Sequence, residues 1–161
     1  MGVVVTLPCP EVAELLSQVG FDWLWVDTEH GPFDALEAQR HLQAVGDRAA
    51  AVVRVPWAED IWIKKALDIG ANGVIVPQVN TAAQARQVVA ACKYPPEGTR
   101  GVGAARAHKY GLGFQAYVDT ANQQTAVIVQ AEHIEAVENI DQIVAVDGLD
   151  AVLIGPYDLS A

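Results

Sequence analysis

The chain carries two cysteines, Cys9 and Cys92, far apart and in no CxxC pair. That excludes a disulfide framework and a thiolate metal cluster, and two unpaired thiols suit a reducing cytosol. Basic residues are scarce: Lys+Arg 10 against Asp+Glu 20 gives a formal charge of −10. This balance argues against nucleic acid and anionic membrane as partners. No apolar run approaches the ~18 residues of a membrane span. The N-terminus, MGVVVTLPCPEVAELL, has no basic n-region, so no signal peptide is expected. The only lysines are Lys64, Lys65, Lys93 and Lys109, none at a predicted strand end. Schiff-base chemistry needs a desolvated lysine at the reacting centre. Carbonyl chemistry here would instead draw on a metal ion as Lewis acid.

What is abundant is core. The hydrophobic fraction is 52% before the 13 glycines are counted, which excludes a disordered chain. The length of 161 residues fits a single domain, taken as residues 1–161.

Short β-branched runs alternate with longer amphipathic stretches. Strands are predicted at Gly2–Thr6, Trp23–Val26, Ala51–Arg54, Gly73–Val76, Ala126–Gln130 and Ala151–Ile154. Each is nearly continuously apolar, as strands buried on both faces are. Helices are predicted at Pro10–Val19, Phe33–Ala44, Asp60–Asp68, Thr81–Cys92 and His133–Val144. This alternation predicts a parallel sheet flanked by helices. A weak repeat supports it: GFDWLWVD, GANGVIVP and GLDAVLIG each read Gly, an Asx turn, then an apolar strand.

Two α/β architectures fit, an open doubly wound sheet and a (β/α)8 TIM barrel. At roughly 30 residues per βα step, eight steps need about 240–250 residues, the size of a barrel. The chain then holds about the first six βα units and stops after the sixth strand. Tyr94–Gly113, with two prolines and five glycines, is long for a connection and reads as a lid or binding loop. It would bring Arg100 or Arg106 near an anionic substrate, or carry them as surface arginines.

In a barrel the chemistry sits at the C-terminal ends of the strands. Those positions hold Thr6; Asp27, Glu29 and His30; Arg54; Pro77 and Gln78; Gln130 and Glu132; and Asp158. Singly, each has a plain structural reading: Asp27 as a helix cap, His30 as a hydrogen-bonded structural histidine, Arg54 in an ion pair, Glu132 and Asp158 as caps. Together, ionisable groups at the same end of several strands repel or desolvate one another unless they share a task. Glu132 and Asp158 lie one βαβ step apart. An oxygen pair without cysteine suits a hard divalent ion such as Mg²⁺ more than zinc. Trp57 follows Val-Arg-Val-Pro and is expected at the barrel mouth.

The runs GFDWLWVDTEHGPFD, VRVPW, KKALDIGANGVIVPQVNTAAQARQVVAACKYPPEGTRGVG, VIVQAEHIEAVENID and GLDAVLIGPYDLSA resemble the HpcH/HpaI aldolase family of the phosphoenolpyruvate/pyruvate barrel superfamily. The resemblance covers nearly the whole chain. It implies a (β/α)8 barrel, truncated here, and class II cleavage of a 4-hydroxy-2-oxo acid, of the 4-hydroxy-2-oxoheptanedioate or 2-dehydro-3-deoxyglucarate type, to pyruvate and an aldehyde. It implies a divalent metal (Mg²⁺, Mn²⁺ or Co²⁺) held by Glu132 and Asp158. His30 would be the general base, oriented by an Asp27 carboxylate–imidazole hydrogen bond. Arg54 would stabilise the enolate. Gln130 and the Gly155, Pro156, Tyr157 and Asp158 loop would hold the substrate. A cytoplasmic homo-oligomer, a hexamer in the family, is implied as well. The sequence departs from the family at Ala131, where a bulkier residue is usual, and lacks the last two βα units and the N-terminal helix. A CoA-thioester lyase of the same superfamily and an inactive barrel fragment are the alternatives.

Overall fold

The computed structural model describes residues 1–160; Ala161, the last residue of the expected domain, lies outside them. Six strands, β1 (Gly2–Val5), β2 (Trp23–Asp27), β3 (Ala50–Arg54), β4 (Gly73–Val76), β5 (Ala126–Ala131) and β6 (Ala151–Ile154), form one sheet in chain order. Every neighbouring pair is parallel. This is the wall of a barrel rather than a doubly wound sheet, whose strand order reverses at a switch point. β1 and β6 are its two edges.

The helices are α1 (Pro10–Leu16), α2 (Ala35–Val45), α3 (Asp60–Asp68), α4 (Ala82–Cys92), α5 (Phe114–Gln124), α6 (Ile134–Glu138), α7 (Ile140–Val144) and α8 (Pro156–Leu159). Capping boxes start α2 and α4. The Asp34 side chain accepts from Glu37 N at 2.8 Å, and the Thr81 hydroxyl accepts from Gln84 N at 3.2 Å. Such caps contribute about 1 kcal/mol each. The main core lies between the sheet and these helices, where Leu24, Val26, Val53, Val74, Val76, Val127 and Val129 meet Leu42, Ile63, Leu67, Val88 and Ile143. Full burial of a Leu or Ile here stabilises by about 1.5–3 kcal/mol.

The repeat seen in the sequence has a common mechanism. Gly20, Gly70 and Gly148 all have positive φ (96°, 95° and 83°), which a side chain rarely tolerates. The Asx residue two positions later ties the turn to the preceding strand. Asn72 Oδ1 accepts from Ala51 N at 2.8 Å, and Asp150 Oδ2 accepts from Val127 N at 2.7 Å. Asp22, next to the first strand, takes the chain's own terminal amine instead.

Three expectations need correcting. The stretch 133–144 is two helices, because Asn139 interrupts it and donates its side-chain amide to Asn80 O at 3.0 Å. Helix α5 was not expected at all. And Tyr94–Gly113 is not a lid: it leads out of α4 and returns toward β5, so it lies at the N-terminal ends of the strands. Arg100 pairs with Asp68 at 3.0 Å and stacks over the Tyr94 ring at 4.5 Å. Arg106 donates to Ile69 O at 2.8 Å and Leu42 O at 3.3 Å, serving the ends of α3 and α2. Both arginines are fixed to the fold, away from the mouth.

Candidate active site

Strand parity builds the site. In β2, β3 and β5, residues Asp27, Arg54 and Gln130 face the same side of the sheet, away from the helix-packed Val26, Val53 and Val129. Asp27 and Arg54 are also direct register partners across β2 and β3. The guanidinium meets the carboxylate bidentately, Nε to Oδ1 at 2.9 Å and Nη2 to Oδ2 at 2.6 Å. Such paired charge-assisted bonds are about twice as strong as neutral ones. Arg54 Nη1 donates to Gln130 Oε1 at 3.2 Å and lies 3.1 Å from Glu29 Oε2. Beneath the guanidinium lies the Trp25 ring, 4.7 Å from its centroid.

Burial pushes the Asp27 carboxyl up, but the hydrogen bonds and charge of Arg54, with the backbone N–H groups of His30 and Glu29, outweigh it and hold it below its ordinary value. Arg54 is held above its ordinary value, because the Asp27 and Glu29 carboxylates outweigh its burial. Glu29 goes the other way: desolvation raises it despite the charges of Arg54 and His30.

The expected Asp27–imidazole hydrogen bond does not form. Both Asp27 oxygens are on Arg54, and Oδ1 also accepts from the backbone N–H groups of Glu29 and His30 at 3.1 and 3.3 Å. It is Glu29 whose carboxylate lies nearest the ring, with Oε2 3.9 Å from His30 Nε2. The His30 side chain is 68% exposed, free to meet a ligand.

Glu132 is buried, 3% exposed. Its Oε1 accepts from Gln78 N at 2.8 Å, and its Oε2 accepts from the Gln130 amide. Gln78 reaches it only because its backbone is left-handed, φ 57°, a strain that clusters at functional sites. Gly155 lies directly over this carboxylate: a Cβ there would come within 2.7 Å of Glu132 Cβ and 2.9 Å of Oε2. Asp158 follows, exposed, in the first turn of α8. The expected Gly155–Asp158 loop is thus one helical turn entered through Gly155.

A cleft of about 450 Å³ brings together His30, Arg54, Gln130, Gly155, Pro156, Tyr157 and Asp158, with Trp25, Leu153 and Ile154 as its apolar wall. Asp27 and Glu132 sit behind it. Trp57 is not part of it; it stands 55% exposed over a groove between α3 and α4. Among the described residues no cluster of three His, Cys, Asp or Glu side chains is arranged around a metal position. The Glu132–Asp158 pair, all oxygen, with room kept above Glu132 by Gly155, fits a hard divalent ion that takes its remaining ligands from substrate and water. No lysine reaches the cleft. Lys93, the buried one, donates to Thr125 O and Asn122 O before β5. Glu29 and Gln78 were visible in the sequence only by position, each two residues past a strand end.

Known proteins are similar to this chain along most of its length. A 4-hydroxy-2-oxovalerate aldolase from Novosphingobium aromaticivorans is 45% identical over 163 residues, 100% of this chain and 62% of that protein. A hydroxypyruvate/pyruvate aldolase from Roseobacter denitrificans is 46% identical over 151 residues, 92% of this chain and 59% of that protein. A crystal structure of an HpcH/HpaI aldolase/citrate lyase family protein from Burkholderia cenocepacia J2315 superposes with a TM-score of 0.94 at 36% identity, covering 99% of this chain and 65% of that one. The chain thus spans about three fifths of the length of the curated relatives it matches. The family model for HpcH/HpaI aldolase/citrate lyase matches residues 1–161, and the chain belongs to that family.

Proposed function

We propose that the protein containing this chain is a class II aldolase that cleaves a 4-hydroxy-2-oxo acid to pyruvate and an aldehyde. The observation that carries this reading is the buried Arg54, locked by Asp27 and Gln130 at the rim of a cleft with oxygen donors and no lysine. Aldolase names among the relatives support it.

Glu132 and Asp158 would hold a divalent ion, Mg²⁺, Mn²⁺ or Co²⁺, which when bound supplies Lewis-acid polarisation of the 2-oxo group. Arg54, already oriented by Asp27, donates to the oxygen on which enolate charge grows. A preorganised donor of this kind contributes ~3–4 kcal/mol. Gln130, pinned between Arg54 and Glu132, sets the distance between those two groups. His30, exposed at the rim, takes the proton of the 4-hydroxyl as the C3–C4 bond breaks; a positioned base is worth ~10²–10⁴ in rate. The aldehyde leaves, and the enolate takes a proton to become pyruvate. Backbone N–H groups of the Tyr157–Asp158 turn are available to the substrate carboxylate.

The test is retro-aldol activity of the protein as its gene encodes it. EDTA should abolish pyruvate release and Mg²⁺, Mn²⁺ or Co²⁺ should restore it. Borohydride trapping of a pyruvate adduct would overturn the reading, since only a Schiff-base lysine gives one.

A further inference from the structure

Four oxygens surround the Arg54 guanidinium, and they are not equal. Asp27 supplies two, each in a short hydrogen bond, and is itself 2% exposed with further bonds from two backbone N–H groups. Gln130 supplies a neutral third. Glu29 supplies the fourth, and its Oε2 is anomalous. It is buried, 3.1 Å from Arg54 Nη1, yet outside hydrogen-bonding geometry, so it accepts no hydrogen bond at all. A buried carboxylate oxygen without a hydrogen bond costs its desolvation and gains only unaligned charge attraction.

That oxygen stands between two groups. Arg54 is on one side and His30 Nε2, at 3.9 Å, on the other. A shift of about 1 Å would bring it to the ~2.8 Å of a charge-assisted hydrogen bond with the imidazole. The ring is exposed and can move to meet it. Among the described residues no hydrogen bond ties the carboxylate down: the backbone N–H of Glu29 donates to Asp27, and the carboxylate is held only by unaligned charge attraction to Arg54. Burial that raises its pKa fits a carboxylate poorly settled where it lies.

Resting on the aldolase reading, we propose that Glu29 is a displaceable carboxylate. It occupies the side of Arg54 that the anionic oxygen of a bound 2-oxo acid takes, and when that oxygen arrives it transfers to His30. In the free protein Glu29 is thus a stand-in for substrate charge on Arg54. In the complex it becomes the positioning partner of His30, the role that Asp27 cannot fill while both its oxygens are on Arg54. A second anion beside Arg54 would repel Glu29, and the same repulsion delivers it to the imidazole.

The two halves predict opposite effects on binding and turnover. Glu29→Gln keeps the size of the side chain but removes its charge. Pyruvate should bind more tightly by about 5–10-fold, since no like charge has to be displaced. Turnover of the 4-hydroxy-2-oxo acid should fall by about 10²-fold, since His30 loses its carboxylate. The experiment is calorimetric titration with pyruvate in Mg²⁺, together with kcat and KM, on wild type, Glu29→Gln and Glu29→Ala, with thermal melts to establish that each folds. A lowered pyruvate Kd and KM with lowered kcat supports the proposal. An equal or weaker pyruvate affinity in both variants overturns it, because a merely structural Glu29 would loosen the site. Tighter binding with unchanged kcat overturns the transfer to His30. If wild type itself releases no pyruvate, the aldolase reading fails, and this inference with it.

Discussion

The two ends of the sheet each bury an arginine, and they use it differently. At the N-terminal end Arg100 has one acid, Asp68, and is enclosed by the rings of Tyr94 and Tyr117, with His108 edge-on to Tyr117 and stacked on Phe114. Charges there balance, and aromatic faces close the space. At the C-terminal end Arg54 is set among Asp27, Glu29 and Glu132, and a cleft opens beside it. Negative charge is in surplus, and one carboxylate oxygen, Glu29 Oε2, is buried without a hydrogen bond. A balanced, sealed cluster is a fastening. An unbalanced, open one leaves room for the cation and substrate proposed above. Arginine alone does not distinguish the two ends; the surplus of acid around it and the cleft beside it do.

Conservative exchange of the two arginines should separate these roles most clearly. Arg54→Lys keeps charge but loses the planar fork, so kcat should fall about 10²–10³-fold with a smaller effect on stability. Arg100→Lys should leave kcat within about threefold and lower unfolding free energy by about 2–3 kcal/mol, as stacking on two tyrosines and the aligned Asp68 bond weaken. Steady-state kinetics beside urea unfolding reads both; equal kinetic losses in the two variants would break the contrast.

Gly155→Ala should act at the open end only. The new Cβ would press on Glu132, 2.7 Å from its Cβ. Mn²⁺ affinity should drop about 10-fold or more, with little change in melting temperature. Unaltered Mn²⁺ titration would mean that Glu132 is not a ligand.

The smallest effect belongs to the sealed end. His108 is fully buried, its Nε2 3.1 Å from the Tyr94 hydroxyl, and burial lowers its pKa, helped by Arg100 and opposed by Asp68. The folded state therefore favours the neutral ring. That stability is complete above the unfolded value of ~6.5 and is lost as pH falls from there toward the lower folded value. His108→Gln should flatten the slope of unfolding free energy just below pH 6.5, while the pH profile of kcat keeps its shape.

The strands were legible because each is a continuous apolar run between turn residues, and the repeat fixed their phase. Position at strand ends was enough to find Asp27, Arg54, Gln130 and Glu132, which the fold does bring together. What was noted only by position, or missed altogether, had no residue-type signal. Gln78 acts through its backbone N–H in a left-handed conformation. Asp27 was assigned to the wrong neighbour because spacing along one chain, Asp27 to His30, says nothing of the cross-strand residue opposite it. Helix α5 buries only Ala121 fully, so its periodicity is faint. The stretch 94–113 was misread from its glycines and length. The rule that a segment leaving a helix returns to the N-terminal end of the next strand would have put it at the sealed face.

The opposition of Asp27 and Arg54 across β2 and β3 reaches beyond chemistry, into assembly. Side chains alternate between faces, so a slip of one residue between two strands turns a whole set of them over. Were β3 paired one residue out of step, Arg54 would be driven into the apolar layer under the helices and Asp27 left without a counter-charge, a penalty of about 3–5 kcal/mol. The hydrophobic residues offer weaker discrimination, since Val52 and Val53 are the same residue on opposite faces. The pair proposed to orient the reaction therefore also proofreads the sheet: a chain that pairs these strands wrongly loses Arg54 from its cleft and its stability in the same step.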